Sequence, residues 1–193
     1  MGLHLTYELH LTDPIRVADA DRMLAALHAY ARTLPFARVS DFISLRPAPR
    51  GLPADDTSRL WLLYHAPLVA EPNEGDVPLL TGDPDTARGF LVTAGDRCEN
   101  ATFGLLLRAS DTGEHLEWFW RCSCKTQYAA MVSNAHLVAC HTSLVAVLDH
   151  AQSLGFRVVV NDETHYWETR DEARLIAEVE AVNRRVMESR ALQ

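Results

Sequence analysis

Lysine is all but missing from this chain: Lys125 stands alone against seventeen arginines. That bias, with abundant alanine, points to GC-rich coding and a bacterial source. An ammonium is a compact charge whose pKa moves on burial, whereas guanidinium is planar and permanently charged. A single retained lysine therefore marks a position where arginine would not serve. Basic charge as a whole is also short, with 18 Lys and Arg against 26 Asp and Glu and a net charge of -8. No cluster of cations offsets it, which excludes a phosphate-backbone footprint and hence nucleic acid as a partner.

Long apolar runs are missing too. None approaches the roughly 20 residues that span a bilayer, so no membrane association is expected. The N-terminus lacks a basic stretch followed by an apolar core, which predicts a soluble, cytoplasmic protein. Cysteine is sparse: Cys98, Cys122, Cys124 and Cys140 form no dense framework, and reduced thiols are the expectation. No glycine-rich phosphate loop, His-Glu-x-x-His, Gly-x-Ser-x-Gly or nucleotide fingerprint occurs, and no cofactor is expected.

What is present is ordinary globular material, 48% hydrophobic and 23% charged, enough for a core in a single domain over 1–193. Leu3 to Leu11 alternates, with Leu3, Leu5, Tyr7, Leu9 and Leu11 on one side and His4, Thr6, Glu8 and His10 on the other. That is a half-exposed strand with its histidines in solvent. Asp13-Pro14 turns the chain. A helical stripe (Ala20, Met23, Leu24, Leu27, Ala31, Leu34) follows, with Asp19 or a neighbour as cap and Pro35 past its end. Arg38 to Arg46 reads as a strand, 47 to 57 as a loop and Leu60 to Tyr64 as a short strand around Trp61. Residues 66 to 88 form a long acidic, Pro- and Gly-rich loop.

Strands are expected at Gly89 to Thr93, Thr102 to Arg108 and Leu116 to Cys124, the last two joined by a hairpin loop at 110 to 114. A helix should run from Ser133 or Asn134 to Leu154 and stop at Gly155. Its apolar face is Leu137, His141, Leu144, Leu148 and Ala151. Phe156 to Val160 is a strand closed by Asn161-Asp162, and His165-Tyr166-Trp167 fills the gap to the last helix. Thr169 and Glu172 form a capping box, and that helix carries Leu175, Val179, Val182 and Val186 inward, with Glu180 and Arg184 paired outside. The order predicts an α+β fold, a mainly antiparallel sheet covered on one face by about three helices.

The segment Leu-Glu-Trp-Phe-Trp-Arg-Cys-Ser-Cys-Lys-Thr-Gln-Tyr (116 to 128) holds two of the four tryptophans and two of the four cysteines. As a strand it turns Leu116, Trp118, Trp120, Cys122 and Cys124 toward the helices, and Glu117, Phe119, Arg121 and Ser123 away. Cys-Ser-Cys has the wrong spacing for zinc, since i and i+2 on a strand lie roughly 6.5–7 Å apart at the backbone. No metal is expected.

The preferred reading is a non-catalytic domain that binds another protein or a small anionic ligand, with a homodimer as one form. Arg121, Lys125, Gln127 and Tyr128 would line the site under the 66 to 88 loop. The alternative is a small enzyme at 121 to 141, with Cys124 as nucleophile, His141 as base and Lys125 holding an anionic substrate.

Overall fold

Alternation in the first strand decides which way the sheet faces. The structure, a computed structural model, describes residues 2–11, 16–44, 87–109 and 116–191. Strand β1 (Leu5–Leu11) buries Leu5, Tyr7, Leu9 and Leu11. Its neighbour β6 (Leu116–Cys124) runs antiparallel, setting Leu5, Tyr7, Leu9 and Leu11 opposite Cys124, Cys122, Trp120 and Trp118. All eight side chains belong to one core, and each large apolar group buried there contributes about 1.5–3 kcal/mol.

The helices close this face. Helix α1 (Val17–Ala31) buries Ala20, Leu24, Leu27 and Ala31. Helix α2 (Asn134–Ser153) buries Leu137, His141, Leu144, Leu148 and Ala151, and α4 (Glu172–Ala191) contributes Leu175 and Val179. Tyr30 of α1 stacks on His150 of α2, ring centres 4.1 Å apart. A short helix, α3 (Tyr166–Thr169), precedes α4. No described helix is long and apolar enough to cross a membrane.

The remaining strands are β2 (Arg38–Val39), β3 (Ile43–Ser44), β4 (Arg88–Thr93), β5 (Asn100–Ala109) and β7 (Arg157–Asp162). They complete an antiparallel sheet of order β2-β4-β5-β6-β1-β7, with β3 also on β4. The fold is α+β, as the element order predicts. β6 and β7 both run antiparallel to β1 and so parallel to each other, and α2 supplies the long crossover such a pair needs.

The strand expected over Arg38 to Arg46 is broken. Val39 pairs with Val92 and Ile43 with Gly89, so three residues on this edge oppose two on β4. This is a β-bulge. Ser40 holds it: its N–H donates to Leu91 O at 2.8 Å and its hydroxyl accepts from Leu91 N at 2.9 Å.

β5 changes partner midway, pairing with β4 through Leu105 and with β6 from Leu106 onward. Trp120 occupies the opening and donates its indole N–H to Thr102 O at 3.1 Å. Gly104 makes room, since a Cβ there would stand 2.8 Å from the indole and 2.7 Å from Arg88 O.

Several expectations need correction. His10 is 5% exposed rather than in solvent. Its ring lies 3.3 Å from Glu117 and 3.1 Å from Glu8, and Arg108 donates to Glu117 at 2.7 Å. The Arg108 guanidinium also sits 3.5 Å from the Phe119 ring centre. Mutual neutralisation thus lets Glu117 and Phe119 be buried on the face expected to meet water.

Asp19 does not cap α1. Arg16 occupies that position without a side-chain bond, and Asp19 pairs with Arg16 and Arg22. α4 is capped by Asp171, which accepts from Arg174 N at 3.1 Å, in place of the Thr169 box. Glu180 accepts from Asn134. The Asp13-Pro14 turn, the 47 to 57 loop, the Trp61 strand, the 110 to 114 hairpin and most of the 66 to 88 stretch lie outside the described residues.

Candidate functional site

One end of the sheet collects the chemistry. The register sets Leu5 opposite both Cys124 and Asp162. The start of β1, the end of β6 and the end of β7 therefore meet there. Beyond β6 the chain turns through a 3₁₀ segment (Gln127–Met131) into α2, whose first turn is capped by Ser133, accepting from His136 N at 3.0 Å. The Gln127 side chain is buried and accepts from Leu3 N, tying down the N-terminal segment.

His141 points from α2 into this junction. Its Nε2 lies 3.1 Å from Asp162 Oδ2, and its Nδ1 lies 2.8 Å from Thr126 Oγ1. Asp162 also accepts from Thr164 N at 3.0 Å, the Thr164 hydroxyl at 2.7 Å and Trp167 N at 2.9 Å. Burial pushes the Asp162 carboxyl up, but the hydrogen bond and charge of His141, with the Thr164 bonds, outweigh it and hold it at about 2. Hydroxyl, imidazole and carboxylate in a row resemble a nucleophile relay. Thr126 is only 3% exposed, however, and its oxygen is turned to the His141 ring. With every member partnered, the network works as a clamp joining α2 to the end of β7.

Above the clamp lies a cavity of about 520 Å³. Leu3, Val182 and Val186 give it an apolar wall, and Glu163, Glu168 and Arg185 supply charge. Asp162 and His165 also line it. His165 has φ 60° and Arg170 φ 55°, both left-handed, and they bracket α3. Each such residue costs of order 1 kcal/mol and persists only where surrounding contacts enforce it. The contacts here are Trp167 N on Asp162 and Arg170, which covers the Trp167 ring at 4.5 Å and pairs with Asp149 at 2.7 Å.

The structure does not bring Cys124 and His141 together. Cys124 is fully buried with its thiol directed at Leu5 O, and both ring nitrogens of His141 are engaged elsewhere. A hydrogen bond with Cys122 and burial push the Cys124 thiol up, so it holds its proton. Lys125 pairs with Glu99 at 3.6 Å, and its backbone N–H and C=O also bond that residue. Arg121 is exposed on the opposite sheet face, 3.9 Å from Glu8. Gln127 is internal, and Tyr128 lies at the surface beside Met131 and Val132. The six residues thus divide between core, two ion pairs and an exposed patch.

Sequence reasoning passes over the cavity itself. Its wall joins Leu3 to Val186, and although the sequence marks Leu3, Val182 and Val186 as inward-facing, nothing local shows that they meet around a hollow. No protein-family model, no curated protein and no solved structure matches this chain.

Proposed function

We propose that this chain is a non-catalytic binding domain for a small molecule that combines an apolar body with a positively charged group. The observation that carries the reading is the cavity at the end of β7. Its volume of about 520 Å³ falls within the roughly 300–1,000 Å³ typical of small-molecule sites. Leu3, Val182 and Val186 would take the apolar body, and Glu163 and Glu168 outnumber the single Arg185 in the lining. That balance favours a cation over an anion. Arg121 and Lys125, the cations that point to an anionic ligand in the sequence, each face a glutamate.

The test is a thermal-shift titration with tryptamine and phenethylamine, set against indole-3-acetate and phenylacetate. The amines should raise Tm with concentration, as any ligand selective for the native state does, and the acids should not. Val182→Trp, which fills the cavity, should abolish the shift while leaving the circular dichroism spectrum unchanged. Equal stabilisation by the acids, or an undiminished shift in Val182→Trp, overturns the proposal.

A further inference from the structure

A strand at the edge of a sheet presents backbone donors and acceptors on its outer side, and the two edges here are built differently. On one, β2 and β3 are two residues each, and the bulge at Ser40 separates them. So short and broken an edge offers no continuous ladder to another chain. On the other, β7 runs six residues in unbroken register, without proline, and among the described residues pairs only with β1.

The ladder with β1 shows which groups of β7 are left over. Glu163 N donates to His4 O at 3.1 Å, in the register that sets Leu5 opposite Asp162. Bonded and non-bonded pairs alternate along antiparallel strands. Asn161, Val159 and Arg157 therefore bond β1, while Asp162, Val160 and Val158 turn their N–H and C=O groups outward. Asp162 O is taken by His165 N at 2.9 Å. The outward groups of Val158 and Val160 have no partner among the described residues.

The side chains are half-covered as well. Val158 and Val160 pack on the core but stay partly exposed, whereas Leu9 and Tyr7, opposite them on β1, are at 0%. On the other face Val159 is 42% exposed, between exposed Arg157 and Asn161.

We propose that β7 pairs antiparallel with β7 of a second copy of this chain, across a two-fold axis at Val159, so that two sheets become one. Such a contact must be self-complementary, and this strand is. Val158 lies opposite Val160 of the second copy, and Val160 opposite its Val158, each pair exchanging both backbone hydrogen bonds. Val159 meets its own counterpart. Arg157 falls opposite Asn161 of the second copy, with Glu163 of that copy next along the same face, so unlike charges meet and no like charges are set opposite. An axis moved to Val160 would call on Asp162 O, which His165 already holds.

Sedimentation velocity of the full chain over a concentration series should show a monomer–dimer equilibrium. Val159→Lys sets two ammonium groups against each other across the axis and should weaken self-association by about tenfold or more. Its circular dichroism spectrum should stay unchanged, since the substituted side chain is exposed. A crosslink checks the register. Facing residues of a non-bonded pair have Cα atoms about 4.5 Å apart, within disulfide range. The background is Cys98→Ser, because the other three cysteines are buried. There Val159→Cys should give a covalent dimer on mild oxidation. Arg157→Cys should not do so alone, but should crosslink when mixed with Asn161→Cys. A monomer at every concentration, a dimer unmoved by Val159→Lys, or no covalent dimer from Val159→Cys overturns the proposal.

Discussion

His141 and Asp162, 21 residues apart in the chain, meet at 3.1 Å with side chains no more than 1% exposed. A carboxylate this deep survives only because donors surround it. The pair joins the middle of α2 to the tip of β7 and so holds the floor of the cavity in place.

Asp162→Asn should therefore cost about 2–3 kcal/mol at neutral pH, read by urea unfolding. The pH dependence has a defined sign. The folded-state pKa of about 2 lies below the ordinary 3.8, so the contribution is complete above the ordinary value and is lost as pH falls through the folded one. The stability gap between wild type and Asp162→Asn should stay constant from about pH 5 to 7 and shrink below about pH 4. A gap that widens in acid would contradict the geometry.

Gly104→Ala places a methyl group 2.7–2.8 Å from Arg88 O and the Trp120 ring. Overpacking against backbone should destabilise the fold by about 1–3 kcal/mol. Trp120→Phe loses the bond to Thr102 but opens space. In a double-mutant cycle the two changes should cost less together than their sum, by about 1 kcal/mol.

Gly155→Ala should be costly for a different reason. Among the described residues its one close neighbour would be Met23 Cε at 3.6 Å, an ordinary contact, yet its φ is 98°. The penalty is backbone conformation alone, about 1 kcal/mol by thermal or chemical melting. Repacking Met23 should recover none of it.

Ser133→Ala removes the acceptor for His136 N and should lower stability by about 1 kcal/mol.

Local pattern is legible where one face alone decides a residue's place. β1, β6 and α2 follow directly from alternation or a stripe, and the helix-facing placement of Trp118, Trp120, Cys122 and Cys124 holds, whereas Leu116, expected with them, is exposed at the strand's start. Burial on the second sheet face depends on which charges pairing brings together. Nothing near His10 in sequence announces Arg108 or Glu117, so its burial is invisible there. Asp162 sits in a run that reads as a turn, and its carboxylate acquires meaning only when α2 delivers His141. The same holds for His136 and Cys140, which meet a turn whose key residue, Gly95, is informative through what it lacks. Contacts made across long stretches of chain carry the sites, and periodicity carries no record of them.

β1 lies between β6 and β7, and its first residue pairs with Cys124 and Asp162. On a ribosome this strand would emerge long before either neighbour. At about 5–20 residues per second the wait for β7 is on the order of ten seconds or more. Until β6 emerges Leu5, Tyr7, Leu9 and Leu11 have no strand beside them, and large loop-closure entropy must be overcome before the sheet's centre forms. Folding should thus be slow, completed only when β7 docks on β1.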